Sequence, residues 1–178
     1  MSLHDIWGSG MRAALLIVLA IAVCYDLRDR RIPNWLVLVG IAVGMAFSVL
    51  LGGLAAFRDS GVGMLLGVFL FVPFFVLGVI GAGDAKLFGV VGSFVGYEAL
   101  WAIWIYVLIS GGVIAVISIL AIRSYPRFIE NMKMLAYSVF YGFGQSGIAV
   151  TGDAFSTSAK VPYALAIAVG VIVWMVRQ

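Results

Sequence analysis

Gly81-Ala82-Gly83-Asp84-Ala85-Lys86-Leu87 sets an acid and a lysine directly after an apolar run, 61–80, long enough to cross a bilayer. A carboxylate at the end of such a run is costly to desolvate, which makes Asp84 a candidate functional group. Gly81 and Gly83 add no side-chain bulk, so the backbone can leave its helix here or another segment can approach closely. A second acid, Asp26, follows the first apolar run in Tyr25-Asp26-Leu27-Arg28-Asp29-Arg30-Arg31-Ile32-Pro33-Asn34. The two carboxylates are expected to form one site.

Composition supports a membrane protein. Of 178 residues, 64% are apolar and 11% charged, where a soluble domain carries about a quarter charged residues. One cysteine, Cys24, and one histidine, His4, exclude an intramolecular disulfide and a Cys/His metal cluster within the chain. No metal and no cofactor are expected. The net charge of +3 is modest and marks no nucleic-acid surface, so the bilayer, not nucleic acid, is the expected partner. Residues 13–23 resemble the apolar part of a secretory signal. No small-x-small cleavage pattern follows and the flank is Arg-rich, which suits a retained anchor.

About six transmembrane helices are expected in an all-α, polytopic chain that forms one membrane-embedded unit over 1–178. The spans are about 11–25, 34–51, 61–80, 85–96, 99–122 and 161–176. Pro33 suits the first turn of the second span, with Trp35 as an interfacial anchor at its mouth. Residues 52–60 read as a short loop, and Pro73 is expected to kink or loosen the third span. The fourth span is short and glycine-rich, which places it against protein more than lipid. Trp101, Trp104 and Trp174 fit interfacial belts or helix packing.

The 38 residues from Arg123 to Lys160 are not apolar enough to cross. Phe128, Ile129, Met132, Leu135, Ala136, Val139 and Phe140 recur at helical spacing, while Glu130, Asn131 and Lys133 point elsewhere. An amphipathic helix lying in the interface is expected, started by Pro126; a linker helix without a role in the site is the open alternative. Residues 142–158 read as a glycine-, serine- and threonine-rich loop.

Six spans put Arg28, Arg30, Arg31, Lys86, Arg123, Arg127, Lys133 and Lys160 on one side, and Arg12, Arg58 and Arg177 on the other. By the positive-inside rule the first side is cytoplasmic, with both termini outside. Asp26 and Asp84 then reach the same membrane face.

Two adjacent carboxylates cannot both ionise easily, so such a pair tends to share one proton. It can then activate water as base while protonating a peptide carbonyl or leaving amine as acid, with neither metal nor covalent intermediate. The bland reading is structural: Asp26 pairs with nearby arginines, and Asp84 caps the fourth helix for about 1 kcal/mol. Asp29, one turn after Asp26, is a rival for the upstream acid, though three neighbouring arginines suit a solvated ion pair. Lys86 is open between orienting a substrate and simple snorkelling.

The Gly81-Ala82-Gly83-Asp84 block, together with Asp26 and Arg31-Ile32-Pro33-Asn34, resembles the prepilin peptidase family of membrane aspartyl proteases. Lys86-Leu87, Gly92-Ser93-Phe94-Val95-Gly96 and Lys160-Val161-Pro162-Tyr163-Ala164 also match its pattern, so the resemblance covers nearly the whole chain. Gly-x-Gly-Asp alone is a weak signal; the two blocks in this order are a strong one. The resemblance implies that Asp26 and Asp84 are catalytic. It places Gly81, Gly83, Lys86, Pro33 and Asn34 around them, as residues that bind substrate or shape the site.

It further implies substrates that are pilin or pseudopilin precursors, whose short basic leader is removed after a glycine at the cytoplasmic face of the inner membrane. Long family members also methylate the new N-terminus through a cytoplasmic region with paired Cys-x-x-Cys motifs. This chain, with one cysteine in an apolar span, resembles the short peptidase-only type of tight-adherence (Flp-type) pilus systems. Archaeal preflagellin peptidases share the core and remain an alternative, as does a small transporter or assembly subunit without enzymatic activity. Tyr25-Asp26 with Gly-x-Gly-Asp is also similar to presenilin and signal peptide peptidase. There the acids lie deep within helices, whereas here they sit at helix ends beside Arg and Lys, which favours cutting near the surface.

Overall fold

The protein is described by a computed structural model over residues 3–76, 80–122 and 163–177. The expected interfacial helix and loop within 123–160 lie outside the described residues. Among those described the chain is all-helical: α1 (Leu3–Asp29), α2 (Asn34–Val76), α3 (Ala82–Ile122) and α4 (Tyr163–Val176). Stretches of α1, α2 and α3 are long and apolar enough to cross a membrane, while α4 is a shorter apolar helix. The expected count of about six crossings is finer than these helices establish.

Two of the helices are not straight rods. At about 1.5 Å per residue the 43 residues of α2 would extend roughly 65 Å, twice a hydrocarbon core of about 30 Å. A break relieves this at Gly53, with φ 63° and ψ −149°, and α3 breaks likewise at Gly96, with φ 74° and ψ 177°. Both angles fall where a side chain would clash with its own backbone, so glycine is the residue that allows the turn. Residues 54–60, expected in a loop, are helical, because Gly53 alone reverses the chain. Pro73 lies inside α2 near its end, and the non-helical backbone falls at Gly53 instead.

Neighbouring contacts give the direction of each arm. Gly40 and Gly44 of α2 face Val90 and then Ser93 and Phe94, so the first arm of α2 runs parallel to the start of α3. Gly63 faces Gly92 while Gly67 faces Phe88 and Gly89, so the second arm runs antiparallel to it. In the same way α4 runs antiparallel to the second arm of α3, with Tyr163 against Gly111, Ala166 against Ser110 and Gly170 against Val107.

The first arm of α3, 82–95, is the core. Leu87, Phe88, Val90, Val91 and Ser93 are fully buried, as the glycine content of the segment implies. Lipid is as apolar as leucine, so association here rests on close packing and a few polar bonds more than on a hydrophobic drive. A Cβ on Gly92 would stand 2.1 Å from the Gly63 carbonyl oxygen, so both positions require glycine for the backbones to meet. Ser60 Oγ donates to the Ser93 carbonyl across the same seam. The outward faces carry uncovered side chains such as Leu38, Leu50, Leu65 and Phe69, at 66–71% exposure, as lipid-facing surfaces do.

Candidate active site

Four chain segments converge at one end of the bundle: the end of α1, the start of α2, the start of α3 and the start of α4. Each is tied to another by a contact between residues far apart in sequence. Ile32, in the link after α1, lies where a Cβ on Gly83 would be 3.3 Å from its own Cβ. Gly83 therefore lets the α1–α2 link come close to the start of α3. Lys86 Nζ donates to Asn34 Oδ1 at 3.0 Å, joining the first turns of α2 and α3. The ring of Tyr25 stands edge-on to Trp35, with centroids 6.2 Å apart, beside Asp26.

Asp84 is the third residue of α3, and Gly81 takes the capping position before it. The amide nitrogens of Asp84 and Ala85 donate to the Gly81 carbonyl at 3.1 and 3.4 Å, and Gly81 N–H donates back to Asp84 Oδ2 at 3.1 Å. This is the returning half of a capping box. Glycine supplies no side chain for the other half. Bringing a carboxylate to the positive end of a helix is favourable as well.

Asp26 lies one turn before the end of α1 and is half-buried. Its Oδ2 accepts the Ala164 N–H at 3.3 Å, across 138 positions of sequence. Asp26 therefore also meets a helix N-terminus, that of α4. Its charge is close enough to bear on Asp84, and Arg30 bears on Asp26 in turn. Each carboxylate thus engages Oδ2 with a backbone amide, and among the described residues no bond is made by Oδ1.

The remaining expected residues fall around this pair. Pro33 precedes α2 instead of opening it, and its carbonyl accepts the amides of Leu36 and Val37 at 3.1 and 3.4 Å. That is a shift of one residue, because the chain turns helical only after the proline. Asp29, the rival acid, is 53% exposed and 4.0 Å from Arg28 Nε, an exposed pair of little energetic weight. Both halves of the structural reading are met in part: Asp84 does cap its helix and Asp26 does feel an arginine. Neither interaction takes Asp26 or Asp84 away from their shared end of the bundle.

Two contributors were not singled out from sequence as site residues. The Ala164 amide bonds Asp26, and Tyr163 lies near enough to Asp84 to feel its charge. The signal was there in Lys160-Val161-Pro162-Tyr163-Ala164, but a backbone amide is invisible to residue type. Among the described residues, no group of three or more His, Cys, Asp or Glu side chains converges as a metal site would require.

A model of the type IV leader peptidase family matches residues 13–120, a stretch that includes Asp26 and Asp84. No curated protein and no solved structure matches the chain.

Proposed function

The chain belongs to the type IV leader peptidase family, and from that premise we propose that it is an aspartic endopeptidase whose catalytic pair is Asp26 and Asp84. Family membership makes it a membrane peptidase acting on pilin-type precursors. The observation that carries the aspartic reading is that two half-buried carboxylates, 58 positions apart in sequence, lie at one end of the bundle within reach of each other's charge.

A water held between the Oδ1 atoms gives its proton to one carboxylate as its oxygen attacks the scissile carbonyl carbon. The other carboxyl, protonated, donates its proton to the carbonyl oxygen. Collapse of the tetrahedral diol breaks the C–N bond, and a proton passes to the leaving amine. The pair ends with one shared proton, ready for the next substrate.

The substrates are Flp-like pilin precursors with a short basic leader, cut at the cytoplasmic face of the inner membrane by a peptidase-only enzyme. The orientation rests on the expected six crossings, which put eight basic residues on the side of Asp26 and Asp84 and three on the other. Gly81, Gly83, Pro33, Asn34 and Lys86 shape the approach to the pair.

Asp26→Asn and Asp84→Asn should each abolish leader removal from a type IV pilin precursor while membrane abundance stays near wild type. Amides keep the shape but cannot exchange the proton. Asp29→Asn should retain substantial cleavage. An essential Asp29 with a dispensable Asp26, read by gel shift of the precursor, would reverse the upstream assignment.

A further inference from the structure

The first turn of α4 lies beyond the family match at 13–120, yet it supplies the amide that holds Asp26. At 3.3 Å the Ala164 N–H to Asp26 Oδ2 bond is long, so a shift of a few tenths of an ångström in α4 would lose it. What fixes that turn is therefore part of the site. Tyr163 immediately precedes Ala164. Its ring stands edge-on to Phe71, with centroids 5.9 Å apart and planes at 76°, and its hydroxyl end rests over Gly111. A Cβ on Gly111 would be 3.0 Å from Oη and 3.2 Å from two ring carbons, so glycine makes the seat. Ser110 Oγ lies 2.7 Å from the Ala166 carbonyl oxygen and ties the same turn to α3.

The contacts continue to the second carboxylate. Phe71 stacks on Phe88 at 4.5 Å, and Phe88 lies one turn after Asp84 on the same helix. Tyr163, Phe71 and Phe88 thus form a chain of rings between the helix start that holds Asp26 and the helix start that carries Asp84. Phe71 and Phe88 are almost completely buried, so the chain is a rigid spacer.

We propose that Tyr163 is a positioning residue of the peptidase site, whose ring, seated on Gly111 and against Phe71, aims the Ala164 amide at Asp26 and sets its carboxylate against that of Asp84. The inference rests on the aspartate-pair reading. It assigns Tyr163 an effect on the chemical step more than on substrate affinity, because its ring rests on Gly111 and Phe71 and acts on Asp26 through the Ala164 amide.

The test uses purified full-length protein in bilayer nanodiscs, with a type IV pilin precursor bearing a basic leader that ends in glycine. Tyr163→Ala should lower kcat about ten-fold or more with KM within about two-fold, since a small misplacement of a reacting group is costly in rate. Tyr163→Phe should restore most of kcat, because the ring makes the contacts. Gly111→Ala should push the ring from its seat and lower kcat in the same way. The double variant Gly111→Ala/Tyr163→Ala should be no slower than Tyr163→Ala alone, since residues acting through one contact are not additive. If Tyr163→Ala does not accumulate as folded protein, Gly111→Ala and Tyr163→Phe decide the matter by the same kcat criterion. Wild-type kcat in Gly111→Ala or Tyr163→Ala, multiplied losses in the double variant, or a loss confined to KM would overturn the inference. A wild-type protein that does not cleave, or an Asp26→Asn variant that does, would instead remove the aspartate-pair reading itself.

Discussion

In the proposed site, Asp84 combines a structural bond with a chemical role in one side chain. Its Oδ2 closes the α3 cap through Gly81 N–H at 3.1 Å, which fixes the carboxylate before any substrate arrives. A Cβ at position 81 would stand 3.3 Å from Asp84 Oδ2, so the carboxylate would have to give by a few tenths of an ångström. Gly81→Ala should therefore leave the protein folded but lower kcat by about three- to ten-fold, because the atom displaced belongs to the carboxylate. Gly83→Ala pushes on the carbon side chain of Ile32 at 3.3 Å and should do less harm. Steady-state cleavage rates for the two variants give the ranking, and a more active Gly81→Ala than Gly83→Ala would contradict it.

At the scale of elements, the seam between the second arm of α2 and the first arm of α3 holds the bundle together. Gly63 and Gly67 meet Gly89 and Gly92 at backbone distance, and the Ser60 hydroxyl bridges the seam. An interhelical bond of this kind contributes about 0.6 kcal/mol in a bilayer, so the close packing dominates. Gly92→Ala would force a Cβ to 2.1 Å from the Gly63 carbonyl oxygen and should cost about 1–3 kcal/mol, as overpacking does. Gly112→Ala meets nothing within 4 Å, so it should be neutral or gain up to about 1 kcal/mol of helix propensity. Thermal unfolding in one detergent compares them, and equal effects would show that the seam is not as tight as described.

At the scale of the whole molecule, the breaks at Gly53 and Gly96 both fall at the end of the bundle away from Asp26 and Asp84. A Cβ on Gly96 would be 3.8 Å from Asp59, just beyond the first break. Ser60 is unsuitable as a labelling site there, being 1% exposed; Asp59 is exposed and serves instead. In a Cys24→Ser background, needed because Cys24 is exposed, Asp29→Cys should label only from the cytoplasm and Asp59→Cys only from outside. Labelling of both from the same side would break the six-crossing arrangement and the cytoplasmic placement of the pair.

The sequence by itself determined the membrane class, the helical content and the two acidic blocks. Those depend on composition, on apolar run length and on residue types that are expensive to place in lipid. It also located the glycine-rich segment that became the core, because small residues are what lets helices meet in a bilayer. The single-residue reversal at Gly53 was hidden among several candidate loop residues, since a positive φ at one glycine leaves no mark in composition. Only the tertiary structure decided that Asp26 is held by the Ala164 amide and that Lys86 bonds Asn34. It alone decided that three aromatic rings link the helix start that holds Asp26 to the helix start that carries Asp84. The physical reason is that these contacts join segments up to 138 positions apart, one of them through a backbone group that every residue other than proline carries.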